Sequence, residues 1–361
     1  MLATELEITL NKAPKEALKQ KPDQNALGFG QYFSDHMFVM HWIRDTGWDN
    51  ARITPYADFS MDPAAMVFHY GQAIFEGLKA YRGKKGGILL FRPKDNFGRM
   101  NRSAMRMCMP RIPADRMLQA LKALVYLDRD WVPTAPGATL YLRPTMIATE
   151  PALGLRPSDE YLFFILASPV GAYYAEGFNP VKIYVESRYV RAVPGGVGEA
   201  KTAGNYAASV KALTEAQRNG YSQVLWLDAL EHKYIEEVGT SNAFFVINDE
   251  LITPPLGGTI LPGITRDSVL TLARDWGMKV DERRISIDEV VAAAEDGSLG
   301  EVFSTGTAAV ISPLGELFYK GEKIIVNNGE TGPVARRMFD ELQAIQFGER
   351  PDPHGWMVSV A

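Results

Sequence analysis

One lysine in this chain has unusual surroundings. Lys201 lies in Glu199-Ala200-Lys201-Thr202-Ala203-Gly204-Asn205-Tyr206, directly after the Gly-rich turn Pro194-Gly195-Gly196-Val197-Gly198. An amine that is to attack a carbonyl carbon and form a Schiff base needs room around it and partly desolvated surroundings. Small neighbours supply the room. Tyr206, five residues on, could donate to a phenolic oxygen held near that amine. A second stretch, Glu236-Glu237-Val238-Gly239-Thr240-Ser241-Asn242, offers a carboxylate that could pair with a protonated ring nitrogen. Taken singly, these are a solvated lysine, a packed aromatic at a helix start and an acidic loop.

An anion would need its own cradle. Gly257-Gly258-Thr259-Ile260-Leu261-Pro262-Gly263-Ile264-Thr265-Arg266 runs from a glycine-rich turn into a predicted helix, whose first N–H groups suit an anion. Ser304-Thr305-Gly306-Thr307-Ala308-Ala309 is a second small-residue turn that could give hydroxyl and N–H donors to a phosphate or a carboxylate. Arg99, Arg102 and Arg106 share a helix face; this is more often a solvated stripe, but one of them could reach a phosphate. Arg143, in Tyr141-Leu142-Arg143-Pro144 at a strand end, could clamp a substrate carboxylate or make an interface salt bridge. A Schiff-base lysine, a ring-nitrogen carboxylate and an anion cup are the parts that pyridoxal phosphate chemistry requires.

The elements that must position these groups mix strands and helices without strict alternation. Strands are predicted over 37–43, 88–91, 138–147, 161–167, 181–185, 224–227, 243–247 and 301–304. Helices are predicted over 96–107, 115–128, 205–219, 265–276 and 334–346, the third of them ending at Gly220. The Gly-, Pro- and aromatic-rich run 168–180 is the best linker candidate. At 361 residues two domains are the default. The pattern favours two α+β or α/β domains over one doubly wound sheet.

Bulk properties exclude several classes. A formal net charge of -5 argues against a nucleic-acid binder. No run of eighteen apolar residues predicts a membrane span. The charged N-terminal stretch does not read as a secretory signal. The single cysteine, Cys108, lies between methionines in what reads as core, and fits a reducing cytoplasm. The five histidines have no zinc-like spacing, so no metal is expected.

At this point the motifs form a series. Phe75-Glu76-Gly77-Leu78-Lys79-Ala80-Tyr81, Phe91-Arg92-Pro93, Arg102-Ser103-Ala104-Met105-Arg106, Tyr141-Leu142-Arg143-Pro144, Glu237-Val238-Gly239-Thr240, Leu261-Pro262-Gly263 and Gly306-Thr307-Ala308 follow in order. The chain resembles the fold-type IV pyridoxal phosphate aminotransferases, specifically the branched-chain amino acid aminotransferases. The match runs from Phe29-Gly30 and Ser34-Asp35-His36-Met37 to Gly355-Trp356-Met357. The resemblance implies a two-domain α+β / α/β fold of the D-amino acid aminotransferase type. It places a smaller N-terminal domain over 1–170, a connecting loop over 171–181 and a larger cofactor-binding domain over 182–361.

The same resemblance implies roles. Lys201 is the Schiff-base lysine and the acid/base that moves a proton between substrate Cα and cofactor. Glu237 is the partner of the pyridinium nitrogen, and Tyr206 donates to the ring oxygen. Arg99, Thr307 and the backbone of Ile264 and Thr265 form the phosphate cup. Thr240, Tyr141 and the Ala308–Ala309 backbone resemble the α-carboxylate site. Arg143 resembles the receiver of glutamate's side-chain carboxylate, and Phe29, Phe75 and Tyr173 the walls of an apolar pocket. Tyr70 resembles a residue that reaches the partner subunit's site, which implies a homodimer. Mammalian relatives carry a redox-sensitive Cys-x-x-Cys after the Gly-Thr-Ala turn; here Ala309 and Ser312 fill those places, which excludes thiol regulation there.

The implied activity is reversible ping-pong transfer of the amino group from L-leucine, L-isoleucine or L-valine to 2-oxoglutarate. The nearest rivals share the fold: a D-amino acid aminotransferase and a lyase acting on aminodeoxychorismate. A non-catalytic binding protein that kept the fold is the rival from another class; the joint presence of Lys201, Glu237 and Tyr206 weighs against it.

Overall fold

Most strand-forming stretches of the N-terminal half join one sheet. Its order is Thr9–Leu10, Gly47–Pro55, His36–Ile43, Glu160–Val170, Thr139–Ala148, Leu78–Arg82, Ile88–Phe91 and Met357–Ser359, with Ala73–Phe75 also paired to Thr139–Ala148. All neighbours are antiparallel except the first pair. The computed structural model describes residues 6–171 and 178–360. Helices Pro93–Arg106 and Ala114–Leu127 lay apolar stripes against this sheet, burying Phe97, Met100, Leu121 and Leu124 with Phe38, Leu140 and Phe163. The stripe in the second helix, Met117, Leu121 and Leu124, follows the three-and-four spacing of one helix face. The first helix has proline in its opening turn, where a missing N–H costs nothing.

The second unit carries the other sheet, which closes on itself. From Ile235–Val238 the neighbours run through Gln223–Leu227, Val181–Glu186, Val310–Tyr319 and Leu299–Gly306 to Ser241–Ile247, which pairs back to Ile235–Val238. This six-membered ring is a small barrel, extended beyond Ser241–Ile247 by Glu250–Thr253 and Lys279–Glu282. The closing seam is a tight hairpin. Glu237 faces Asn242 and Val238 faces Ser241, leaving Gly239-Thr240 as the turn. Gly239 has φ +58°, and a Cβ there would lie 2.3 Å from the Gln223 side chain. Both facts require glycine. Helices Ala203–Arg218, Ile264–Asp275, Ile287–Glu295 and Pro333–Gln346 complete the mixed α/β architecture. No described helix is long and apolar enough to cross a membrane.

The chain forms two compact units. One comprises Met1–Tyr173, Ala200–Ala203 and Ala344–Ala361; the other Tyr174–Glu199 and Gly204–Gln343. The C-terminal stretch belongs to the first unit because Met357–Ser359 pairs with Ile88–Phe91. The expected linker also starts too early. Ser168, Pro169 and Val170 continue the strand Glu160–Val170, facing Tyr141, Leu140 and Thr139. Cys108, expected in core, is exposed at a left-handed position, φ 53°, just beyond the helix Pro93–Arg106.

Candidate active site

Lys201 is fastened on both sides. The short stretch Ala200–Ala203 belongs to the first unit, although the segments flanking it belong to the second. The Lys201 N–H donates to Ser103 Oγ at 2.8 Å, and its carbonyl accepts from the Phe75 N–H at 3.1 Å. Thr202 bridges Ile74 and donates its hydroxyl to the Ala73 carbonyl at 2.8 Å. These bonds fix the lysine backbone to the strand Ala73–Phe75 and to the helix Pro93–Arg106. The half-buried side chain places Nζ 5.0 Å from the centre of the Phe75 ring.

A cation and several rings gather at that point. The Arg143 guanidinium lies 4.7 Å from the Phe75 ring and 5.2 Å from the Tyr141 ring. Its Nη2 donates to the Tyr141 hydroxyl at 3.2 Å. Phe29 sets its edge against Tyr141 with centroids 5.0 Å apart. Space for the Tyr141 hydroxyl is made by Gly77, where a Cβ would come within 1.9 Å of it. Phe29, Phe75, Tyr141, Arg143 and Lys201 thus meet in one unit. Tyr70 makes a different contact: it is 37% exposed and its hydroxyl donates to the Leu153 carbonyl. Tyr173 lies outside the described residues.

Arg99 departs from the expected basic stripe. Arg102 and Arg106 are exposed, but Arg99 is only 4% exposed. Its Nε and Nη2 grip the two carboxylate oxygens of the fully buried Glu76, both at 2.8 Å. The Gly77 N–H adds a third donor to Glu76 at 3.2 Å. A buried, bidentate pair of this kind holds the guanidinium in one orientation.

In the second unit, Glu237, Asn242 and Thr305 form a row across three neighbouring strands. Glu237 is 2% exposed. Its Oε1 accepts from the Leu261 N–H at 2.8 Å and lies 3.5 Å from Asn242 Nδ2; its Oε2 lies 3.3 Å from Arg191 Nε. Asn242 also donates to the Leu261 carbonyl at 3.0 Å. Glu236, next along the strand, is a different group. Burial pushes its carboxyl above the usual range, against the opposing pull of the Thr259 hydroxyl and the Arg191 charge.

The helix Ile264–Asp275 starts at Gly263, which has no side chain to cap it. A Cβ on Gly263 would stand 1.9 Å from Asn242 Oδ1, so the helix start and the seam are packed backbone to side chain. Ile264 and Thr265, both buried, open the first turn. Thr307, Ala308 and Ala309 form the loop joining Leu299–Gly306 to Val310–Tyr319, with Gly306 facing Val310. Val310 adopts φ 64°, a region that a β-branched residue rarely enters. Thr240 is exposed in the seam turn, and Tyr206 is half-buried in the first turn of Ala203–Arg218.

The model of the amino-transferase class IV family matches residues 73–317, a range that contains every group just described except Phe29 and Tyr70. The chain belongs to the class IV amino-transferase family. Among relatives of this aminotransferase, the branched-chain-amino-acid aminotransferase 2 of Bacillus subtilis (strain 168) is 55% identical over 356 residues, covering 99% of this chain and 96% of the relative. The branched-chain-amino-acid transaminase 1 of the same organism is 55% identical over 343 residues, covering 95% and 96%. Among solved structures, the branched-chain amino acid aminotransferase of Escherichia coli superposes with a TM-score of 0.75 at 29% identity, covering 89% of this chain and 99% of that one. The branched-chain amino acid aminotransferase of Thermobaculum terrenum, solved in its PLP-form, gives 0.73 at 25% identity, covering 92% and 100%.

Four supporting groups of the aminotransferase are not marked by local sequence. Ser103 and Glu76 lie inside recognised motifs but carry no role there. Arg191 and Asn242 carry none either. Each acts through a partner remote in sequence, and no local pattern marks that.

Proposed function

We propose that this aminotransferase moves amino groups between L-leucine, L-isoleucine or L-valine and 2-oxoglutarate, with pyridoxal 5'-phosphate as cofactor. The observation that carries the substrate reading is the Arg143 guanidinium lying over the Phe75 and Tyr141 rings. Apolar walls receive an aliphatic side chain, and the cation at their edge receives the side-chain carboxylate of glutamate. One site then serves both halves of a ping-pong cycle.

The residues present fit the cofactor. Glu237 is buried, with the Leu261 N–H donating to Oε1 and the Arg191 guanidinium 3.3 Å from Oε2, and its carboxylate could accept from a protonated ring nitrogen. The helix start at Gly263, with the Ile264 and Thr265 N–H groups, suits a phosphate. We assign Arg99, oriented by Glu76, and Thr307 to the same phosphate, and Tyr206 to the ring oxygen. When bound, the cofactor supplies an electrophilic carbon and a cationic ring that takes up the electron pair left at substrate Cα. Lys201 would be the amine that holds the cofactor and would move the proton at Cα as general base and acid. Thr240, Tyr141 and the Ala308–Ala309 backbone hold the α-carboxylate. Phe29, with Phe75 and Tyr173, walls the apolar side.

We assign the protein to the cytoplasm and read it as a homodimer in which Tyr70 serves the partner's site. Its exposed neighbours Phe68 and Leu153 support an apolar interface there. The test is an absorption spectrum of the purified protein before and after L-leucine, with no oxo acid added. The visible band of the attached cofactor is expected to fall as a near-ultraviolet band of its aminated form grows. A visible band that leucine leaves unchanged, with transfer from D-alanine, overturns the substrate reading in favour of a D-amino acid aminotransferase.

A further inference from the structure

Arg191 sits at the junction of three groups. Its Nε lies 3.3 Å from Glu237 Oε2, with both side chains nearly fully buried. Its Nη2 donates to the Thr259 carbonyl and, at 3.2 Å, to the Gly198 carbonyl. Those two carbonyls are brought together by a contact that only glycine permits, because a Cβ on Gly198 would lie 2.4 Å from the Thr259 oxygen. The Gly-rich approach to Lys201 therefore has a specific use: Gly198 admits the carbonyl pair that holds the guanidinium. The other acid beside Arg191 is Glu236.

From this geometry we infer that Arg191 is a positioning residue that decides where the proton lies in the hydrogen bond between Glu237 and the cofactor's ring nitrogen. The inference rests on the cofactor reading above. Two arrangements of the same proton compete: carboxylate with protonated ring nitrogen, and carboxylic acid with neutral ring nitrogen. In a buried site the neutral arrangement is favoured, because separated charge is poorly solvated. A guanidinium 3.3 Å from a carboxylate oxygen reverses that preference, because it stabilises the carboxylate at close range. The Leu261 N–H on Oε1 works in the same direction but carries no full charge. Only the cationic ring is a strong electron sink. Arg191 thus supports the reaction without touching substrate.

The test uses holoenzyme loaded with cofactor that is isotope-labelled at the ring nitrogen, read by NMR. Wild type is expected to show a protonated ring nitrogen. R191Q should move the signal toward neutral pyridine, and R191K, whose ammonium cannot reach Glu237 and both carbonyls at once, should fall between. R191Q should also lower kcat by roughly 10- to 100-fold, the range for removing an opposite charge a few ångströms from a carboxylate, with little change in KM for L-leucine. A ring-nitrogen signal in cofactor-loaded R191Q equal to wild type overturns the inference. If R191Q does not fold, R191K decides: an unshifted signal overturns it and a part-way shift upholds it. E237Q separates the two layers. If E237Q leaves the ring nitrogen protonated, Glu237 is not its partner and both the assignment and the inference fail; if E237Q shifts the signal and R191Q does not, only the inference fails.

Discussion

Replacing Lys79 by methionine should remove a dependence of stability on pH between about 8 and 10.5. Lys79 lies in the strand Leu78–Arg82, faces Tyr141 across the ladder, and is 6% exposed. Burial lowers its pKa from the ordinary lysine value of 10.5 to about 8. The folded state therefore binds fewer protons than the unfolded state between about pH 8 and 10.5. Below that window both states are protonated and the full penalty of burying an ammonium is present. Across it stability rises with pH, and above it the penalty is gone. At about 1.4 kcal/mol for each pH step, the penalty at pH 7 is roughly 3 kcal/mol. Methionine has similar length and no charge, and adapts to irregular space. Urea unfolding of wild type and K79M, at matched protein and cofactor concentrations, should show wild type gaining roughly 3 kcal/mol relative to the variant as pH rises through the window from about 8 to 10.5. A difference between the two that stays constant over that range refutes the reasoning.

The remaining variants probe the site itself. Lys201→Ala should abolish transfer and the fixation of cofactor by borohydride, while the Tm changes little; substantial remaining turnover would remove Lys201 from its role. Arg143→Ala should reduce kcat/KM for glutamate by about 10- to 100-fold and spare leucine, in line with loss of a charge-assisted hydrogen bond; equal losses would refute the dual-substrate pocket. Gly263→Ala places a methyl 1.9 Å from Asn242 Oδ1, so Asn242 must leave its bond to the Leu261 carbonyl. Overpacking of this kind costs about 1–3 kcal/mol, and dialysis should strip cofactor from the variant faster than from wild type. Equal rates of cofactor loss would show that the helix start does not depend on this packing.

Much of the local structure was legible in the chain. The helices near 96–107, 115–128, 205–219, 265–276 and 334–346 all occur with ends shifted by a few residues, because apolar periodicity and terminal glycine or proline act locally. The strand expected at 161–167 is too short. Pro169 reads as a break, yet the ladder with Thr139–Ala148 carries the strand through to Val170. The return of Met357–Ser359 to the first unit was not legible, since strand pairing over such a separation leaves no local trace. Cys108 reads as core because of its methionine neighbours, but a left-handed turn after the helix faces it outward.

The sequence by itself determined which chemistry was on offer: an amine among small residues, a carboxylate in a Gly-Thr hairpin, and a glycine-led helix start. Residue type and near-neighbour spacing suffice for that. Tertiary structure alone decided how those groups are held. Glu76 orients Arg99, Ser103 and Phe75 fasten Lys201, and Arg191, held by the Gly198 and Thr259 carbonyls, faces Glu237. Each of these depends on the close approach of segments distant in the chain. Ion pairs and hydrogen bonds act over a few ångströms of space, whatever the distance along the sequence.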